Sequence, residues 1–164
     1  MRKRKTSTWR KGTAFERWFE KQIREVLKLS KSDCYRTPGS GGIRHLVGSD
    51  IYLSESARAV FPFYVECKHW RTWRLDKVMF MHRTVKIWLH KLLSDGRREP
   101  GQIPLLVARG HRTESFAIMP VGLLPRGFVC SDPVLYFRYG EDRWAAVPVR
   151  TFLSAWKDYA RKKL

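Results

Sequence analysis

Residues 64–70 read YVECKHW, preceded by AVFPF at 59–63. Aromatic, β-branched and apolar residues make this a buried β-strand, yet it carries Glu66 and Lys68 one residue apart. Side chains alternate along a strand, so Phe63, Val65 and Cys67 face one way and Tyr64, Glu66 and Lys68 the other. The acid and the base therefore share a face, with Cα atoms roughly 6.5–7 Å apart. On its own the pair reads first as a salt bridge on a solvated sheet face, since Glu-x-Lys is a common tripeptide.

A second acid alters that reading. Asp50 opens the apolar segment SDIYL, and a hairpin between this segment and FYVECK would bring it to Glu66. Two carboxylates converging in a partly buried place repel each other unless a cation lies between them. Hard oxygen ligands select Mg²⁺, with Mn²⁺ as a substitute, and leave room for water and a phosphate. A third acid comes from a helix expected over residues 13–30, where Phe15, Trp18, Phe19, Ile23, Val26 and Leu27 recur at helical spacing. Taking Phe15 as 0°, Ile23 falls at about 80°, Glu16 at about 100° and Leu27 at about 120°, so Glu16 lies inside the apolar sector. Glu20, at about 140°, sits on its edge and reads as solvated. Thr13 as N-cap with Glu16 as the capping-box acid is a compatible second reading.

Further along, SESARA at 54–59 reads as a polar connection and Pro62 as an irregular strand start. Asp76 to Leu93 reads as a second helix, IPLLVAR at 103–109 as a strand buried on both faces, and SFAIMP, VLYFRY and WAAVPV as further strands. A helix bearing Phe152, Leu153, Trp156 and Tyr159 closes the chain. This order predicts an α/β fold, a single-domain mixed β-sheet flanked by helices over residues 10–164, behind a flexible basic arm at 1–9.

The chain of 164 residues holds 33 Lys and Arg against 15 Asp and Glu, a formal charge of +18. That excess points to an anionic partner, nucleic acid before membrane surface. No apolar run approaches the ~18 residues of a membrane span, and the basic start lacks the apolar core of a signal peptide, so no membrane is expected. Three scattered cysteines, Cys34, Cys67 and Cys130, suggest reduced thiols and a cytoplasmic setting, that of a host if the chain is phage- or virus-encoded. His82 and His90 could share a helix face, but about 12 Å of rise is too far for one zinc.

Asp50 followed by Glu66-Cys67-Lys68 resembles the D…(D/E)xK signature of the PD-(D/E)xK nucleases, with Ser49 where the pattern has Pro. RKGTAFERWFEKQI at 10–23 is similar to the opening of the archaeal-type (Hjc-like) Holliday junction resolvases, and YRTPGSGG at 35–42 to their Arg-x-Pro-x-Ser-Gly loop. The resemblance implies a restriction-endonuclease-like fold and paired nicking of four-way DNA junctions by a homodimer. It makes Glu16 the helix-borne catalytic acid, joining the metal through a water. Asp50, Glu66 and the backbone carbonyl of Cys67 become the metal ligands, Lys68 the catalytic lysine, and Ser40 a residue beside the scissile phosphate. Arg10, Lys11, Arg36, Arg44 and Arg71 are expected phosphate contacts that position branched double-stranded DNA without reading bases. The alternatives are another PD-(D/E)xK endonuclease (repair, restriction-like or nicking) on duplex or branched DNA, and a non-catalytic basic nucleic-acid-binding protein.

Overall fold

The computed structural model describes residues 7–38, 48–96, 100–130 and 133–163, with side chains from residue 11 onward. Helix α1 (Ser7–Leu27) leads into a two-stranded antiparallel ribbon of β1 (Cys34–Arg36) and β2 (Ile51–Leu53). Helix α2 (Glu55–Val60) then returns the chain to β3 (Phe63–His69). Helices α3 (Asp76–Met79) and α4 (Arg83–Gly96) cross to β4 (Ile103–Arg109), which pairs parallel with β3. Strand β5 (Ser115–Pro120), a 3-10 turn (Val121–Leu123), β6 (Leu135–Tyr139), β7 (Asp142–Pro148) and helix α5 (Val149–Arg161) complete the chain. The sheet order is β3-β4-β5-β7-β6, with β3–β4 its parallel pair and the rest antiparallel. The expected mixed sheet flanked by helices is therefore the fold.

Strand alternation sorts the core onto two faces. Phe63, Val65, Cys67, Leu105 and Val107 face α1 and α5, where they meet Phe15, Phe19, Ile23, Phe152 and Trp156. Phe61, Phe63, Phe152 and Trp156 form an aromatic knot, with Phe63 and Trp156 centroids 4.6 Å apart, and the Trp156 indole N–H donates to the Val60 carbonyl at 2.8 Å. Tyr64, Leu106, Ala108 and Ile118 face the other way, onto Val78, Val85, Leu89 and Leu92 of α3 and α4. Glu66 and Lys68 share the parity of Tyr64 and so belong to the α4 face.

Several expectations need correction. Strand β2 pairs with β1 and forms no hairpin with β3. SESARA is not a loop: Ser54 caps α2 by accepting the Ala57 N–H at 3.2 Å. Helix α1 starts at Ser7, so Thr13 is internal rather than an N-cap, and residues 7–9 of the expected arm are helical. The helix expected from Asp76 to Leu93 breaks at Met81, whose φ of 46° no α-helix accommodates; His82 Nδ1 then accepts the Thr84 N–H at 3.2 Å and starts α4. Glu20 is buried, not solvated. Among the described residues no helix is long and apolar enough to cross a membrane.

Candidate active site

Strand β3 lies at an end of the sheet, so β4 uses one of its edges and leaves the other open. A short segment, Gly48-Ser49-Asp50, docks on the open edge. The Asp50 N–H donates to the Val65 carbonyl at 2.8 Å, and the Val65 N–H donates to the Ser49 hydroxyl oxygen at 3.1 Å. The Ser49 hydroxyl can donate to the Ile51 or the Val65 carbonyl, at 2.8 and 3.1 Å. Gly48 is required here because a Cβ would overlap the Tyr64 hydroxyl. Asp50 is thus placed beside β3 by a backbone splice, not by the hairpin expected from sequence.

Its side chain completes the splice: Asp50 Oδ2 accepts the Cys67 N–H at 2.7 Å. Backbone groups two residues apart on a strand point to the same edge, so the Cys67 carbonyl lies on the edge that Asp50 occupies. Glu66, 1% exposed, turns toward α4, where its Oε1 accepts from two ammonium groups, Lys68 Nζ and Lys91 Nζ, the latter at 3.0 Å. Lys91 also bridges to Asp95, one turn on, at 3.3 Å. Glu16 reaches the site from α1 and is ion-paired with Arg36 of β1. Buried Glu20 fixes that strand by accepting the Arg36 backbone N–H at 3.2 Å and the Arg24 side chain at 3.1 Å.

The electrostatics follow from this crowding. Asp50 is pushed up to about 7, first by burial and then by the charge of Glu66, with Glu16 adding to it; Lys68 and the Cys67 N–H work the other way. The Cys67 thiol is pushed well up by burial, and next by Asp50, Glu16 and Glu66, so the three acids surround one point of β3. Burial works against the charge on Lys91, but Glu66 and Asp95 outweigh it and hold Lys91 above the ordinary lysine range.

Asp50 and the Cys67 carbonyl at the open edge, with Glu66 on the adjoining α4 face, make an all-oxygen donor set, which suits Mg²⁺ or Mn²⁺ and leaves positions for water and phosphate. The upward shift of Asp50, set first by burial and then by Glu66, is one that a bound cation would offset. Among the described residues no group of three or more His, Cys, Asp and Glu side chains is arranged to hold a metal, and Glu16 is engaged by Arg36. The residues therefore fit a two-carboxylate centre with Glu16 outside the direct ligands.

Of the residues singled out from the sequence, Glu16, Asp50, Glu66, Cys67 and Lys68 converge. Arg36 engages Glu16 rather than standing free, while Lys11 and Arg71 are exposed and unpaired with any acid among the described residues. Ser40 and Arg44 lie outside the described residues, as does the Arg10 side chain. Sequence reasoning missed Ser49, Lys91 and Asp95. Lysine on the flank of an amphipathic helix carries no local signal; its role arises from the docking of α4 on β3.

Comparison with curated proteins and with solved structures found no match. Residues 7–126 match the family described as "Phage putative PDDEXK endonuclease", a span that holds Glu16, Asp50, Glu66, Lys68 and Lys91. With most of its length matched, and with an acid spliced to the edge of a strand that carries Glu-x-Lys, the chain belongs to this phage PDDEXK endonuclease family.

Proposed function

We propose that this nuclease is a Mg²⁺-dependent, structure-selective endonuclease that resolves four-way DNA junctions by paired nicks, acting as a homodimer in the cytoplasm of an infected host. The observation that carries the chemistry is Asp50 held against the Cys67 N–H beside a buried Glu66 that two lysines contact. Asp50, Glu66 and the Cys67 carbonyl would hold the metal, with Glu16 reaching it through water. A divalent ion bound there supplies Lewis acidity toward the phosphoryl oxygen and a more acidic water. Lys68 orients the attacking water and offsets charge on the scissile phosphate, and Lys91 adds positive charge from the α4 side. Arg36 restrains Glu16 until substrate arrives. The excess of 33 basic over 15 acidic residues draws the polyanion in.

The choice of junction as substrate is supported by the likeness of segments 10–23 and 35–42 to the archaeal-type resolvases. A second reading, an endonuclease acting on ordinary duplex or other branched DNA, is favoured by the matched family's own description, which specifies endonuclease and no substrate. The two separate on an immobile four-way junction and a matched linear duplex, each with Mg²⁺ or EDTA, beside Glu66→Ala. Metal-dependent paired nicks on the junction alone, lost in the variant, support resolution. Equal cutting of both substrates leaves the nuclease and removes the junction role. Binding without cutting in Mg²⁺ and Mn²⁺ would overturn both readings.

A further inference from the structure

Strands β3 and β4 end side by side, with His69 and Arg109 as register partners at their carboxyl ends. Both side chains are anchored on α1. His69 meets the edge of Phe15 at 6.2 Å, the Arg109 guanidinium lies 5.6 Å from the Trp18 centroid, and Phe15 and Trp18 stack at 5.5 Å. Lys11 lies one helical turn before Phe15 on α1, and His111 lies two residues past Arg109 at the end of β4. The His111 N–H reaches the Arg71 carbonyl at 3.4 Å, which draws a further basic residue to the border of the group.

Packing alone does not account for this gathering. The cations of the reaction centre each have an acid: Arg36 has Glu16, Lys68 has Glu66, and Lys91 has Glu66 and Asp95. Among the described residues no carboxylate lies within ion-pair distance of Lys11, His69, Arg71, Arg109 or His111. Leaving the Lys and Arg charges of this group without a counter-ion costs free energy, and an arriving anion relieves it. The position is also apt. Crevices outside the carboxyl ends of parallel strands are where α/β sheets bind ligands, and β3–β4 is the parallel pair of this sheet. His69 lies about 10 Å along β3 from Glu66, and it faces α1 whereas Lys68 faces α4. A DNA strand crossing the end of β3 would meet both.

We propose that Lys11, His69, Arg109 and His111 form a second phosphate site, taking a backbone phosphate of the bound DNA a few nucleotides from the scissile one. The site rests on the endonuclease reading. It grips the strand that Asp50, Glu66 and Lys68 cut, and it sets register rather than doing chemistry.

The test is fluorescence anisotropy of a labelled duplex or junction in EDTA across a salt series, for the whole chain and for Lys11→Gln/Arg109→Gln. Each phosphate no longer neutralised removes about 0.9 from the slope of log K against log salt, so the double variant, which loses this one phosphate, should lose about 0.9. Over 50 to 200 mM salt its affinity then falls about 3.5-fold less than that of the parent. Cleavage at saturating DNA should keep its Mg²⁺ dependence. Arg109→Lys guards against a folding defect: it keeps the charge and should retain the parent slope. An unchanged slope in folded double variant, while the parent still cuts DNA, overturns the second site alone. A parent that binds no DNA overturns the endonuclease reading and this site with it.

Discussion

Asp50→Asn isolates the electrostatic strain at the centre of the site. The substitution keeps shape and an oxygen to accept the Cys67 N–H, while removing the charge. A carboxyl that titrates at about 7 in the folded chain and near 3.8 when unfolded favours folding only while it stays protonated. Because the folded value is the raised one, its contribution is complete below pH ~3.8 and is lost as pH climbs through 7. Set against an uncharged Asn, the wild-type carboxylate costs roughly 2 kcal/mol at pH 5 and roughly 4 kcal/mol at pH 8. Urea unfolding in EDTA should therefore find Asp50→Asn the more stable protein. Its advantage should be about 2 kcal/mol larger at pH 8 than at pH 5, or about 4–8 °C in Tm for a chain of this size. Added Mn²⁺ or Ca²⁺ should stabilise the wild type at pH 8 and leave Asp50→Asn nearly unmoved. An advantage that is the same at both pH values, or a loss of stability at pH 8, would refute the reasoning.

Lys91→Met removes one of the two ammonium groups from Glu66. Since Lys91 is half exposed, stability should fall by less than ~1 kcal/mol, while cleavage falls about tenfold and Lys91→Arg recovers most of it; undiminished cleavage by the Met variant would remove Lys91 from the site. Gly48→Ala forces a Cβ onto the Tyr64 hydroxyl, so the 48–50 segment must shift. It should lose about 1–3 kcal/mol in urea unfolding and nearly all nicking, and a variant that nicks at the parental rate would show that Asp50 does not depend on this docking.

The sequence was most legible where pattern and tertiary role coincide. IPLLVAR became β4 residue for residue, and the alternation in FYVECKH set Phe63 and Val65 on one face and Glu66 and Lys68 on the other. Glu16 was found because an acid within an apolar helical sector is out of place locally. Asp50 was brought to Glu66 for a mistaken reason: a hairpin was the nearest local device, whereas the real one is a serine hydroxyl bonding across to Val65, which no periodicity encodes. SESARA concealed a helix because Ser, Glu and Arg suit a solvated surface helix as well as a loop. Lys91 and Asp95 were invisible because exposed i,i+4 pairs are ordinary on helices, and only the packing of α4 against β3 gives this one a partner.

The docking of Ser49 and Asp50 on β3 has a consequence for solubility as well as for chemistry. An end strand as apolar as FYVECKH, with unpaired N–H and C=O groups, is a template on which another chain could grow a sheet. Here Asp50 and its neighbouring serine occupy those groups. The segment is a plug on the open edge, so substitutions that loosen it should lower the soluble yield of the protein as well as its activity. Selection for cleavage and selection against self-association would then act on the same few residues, and a position such as Ser49 would be held by both.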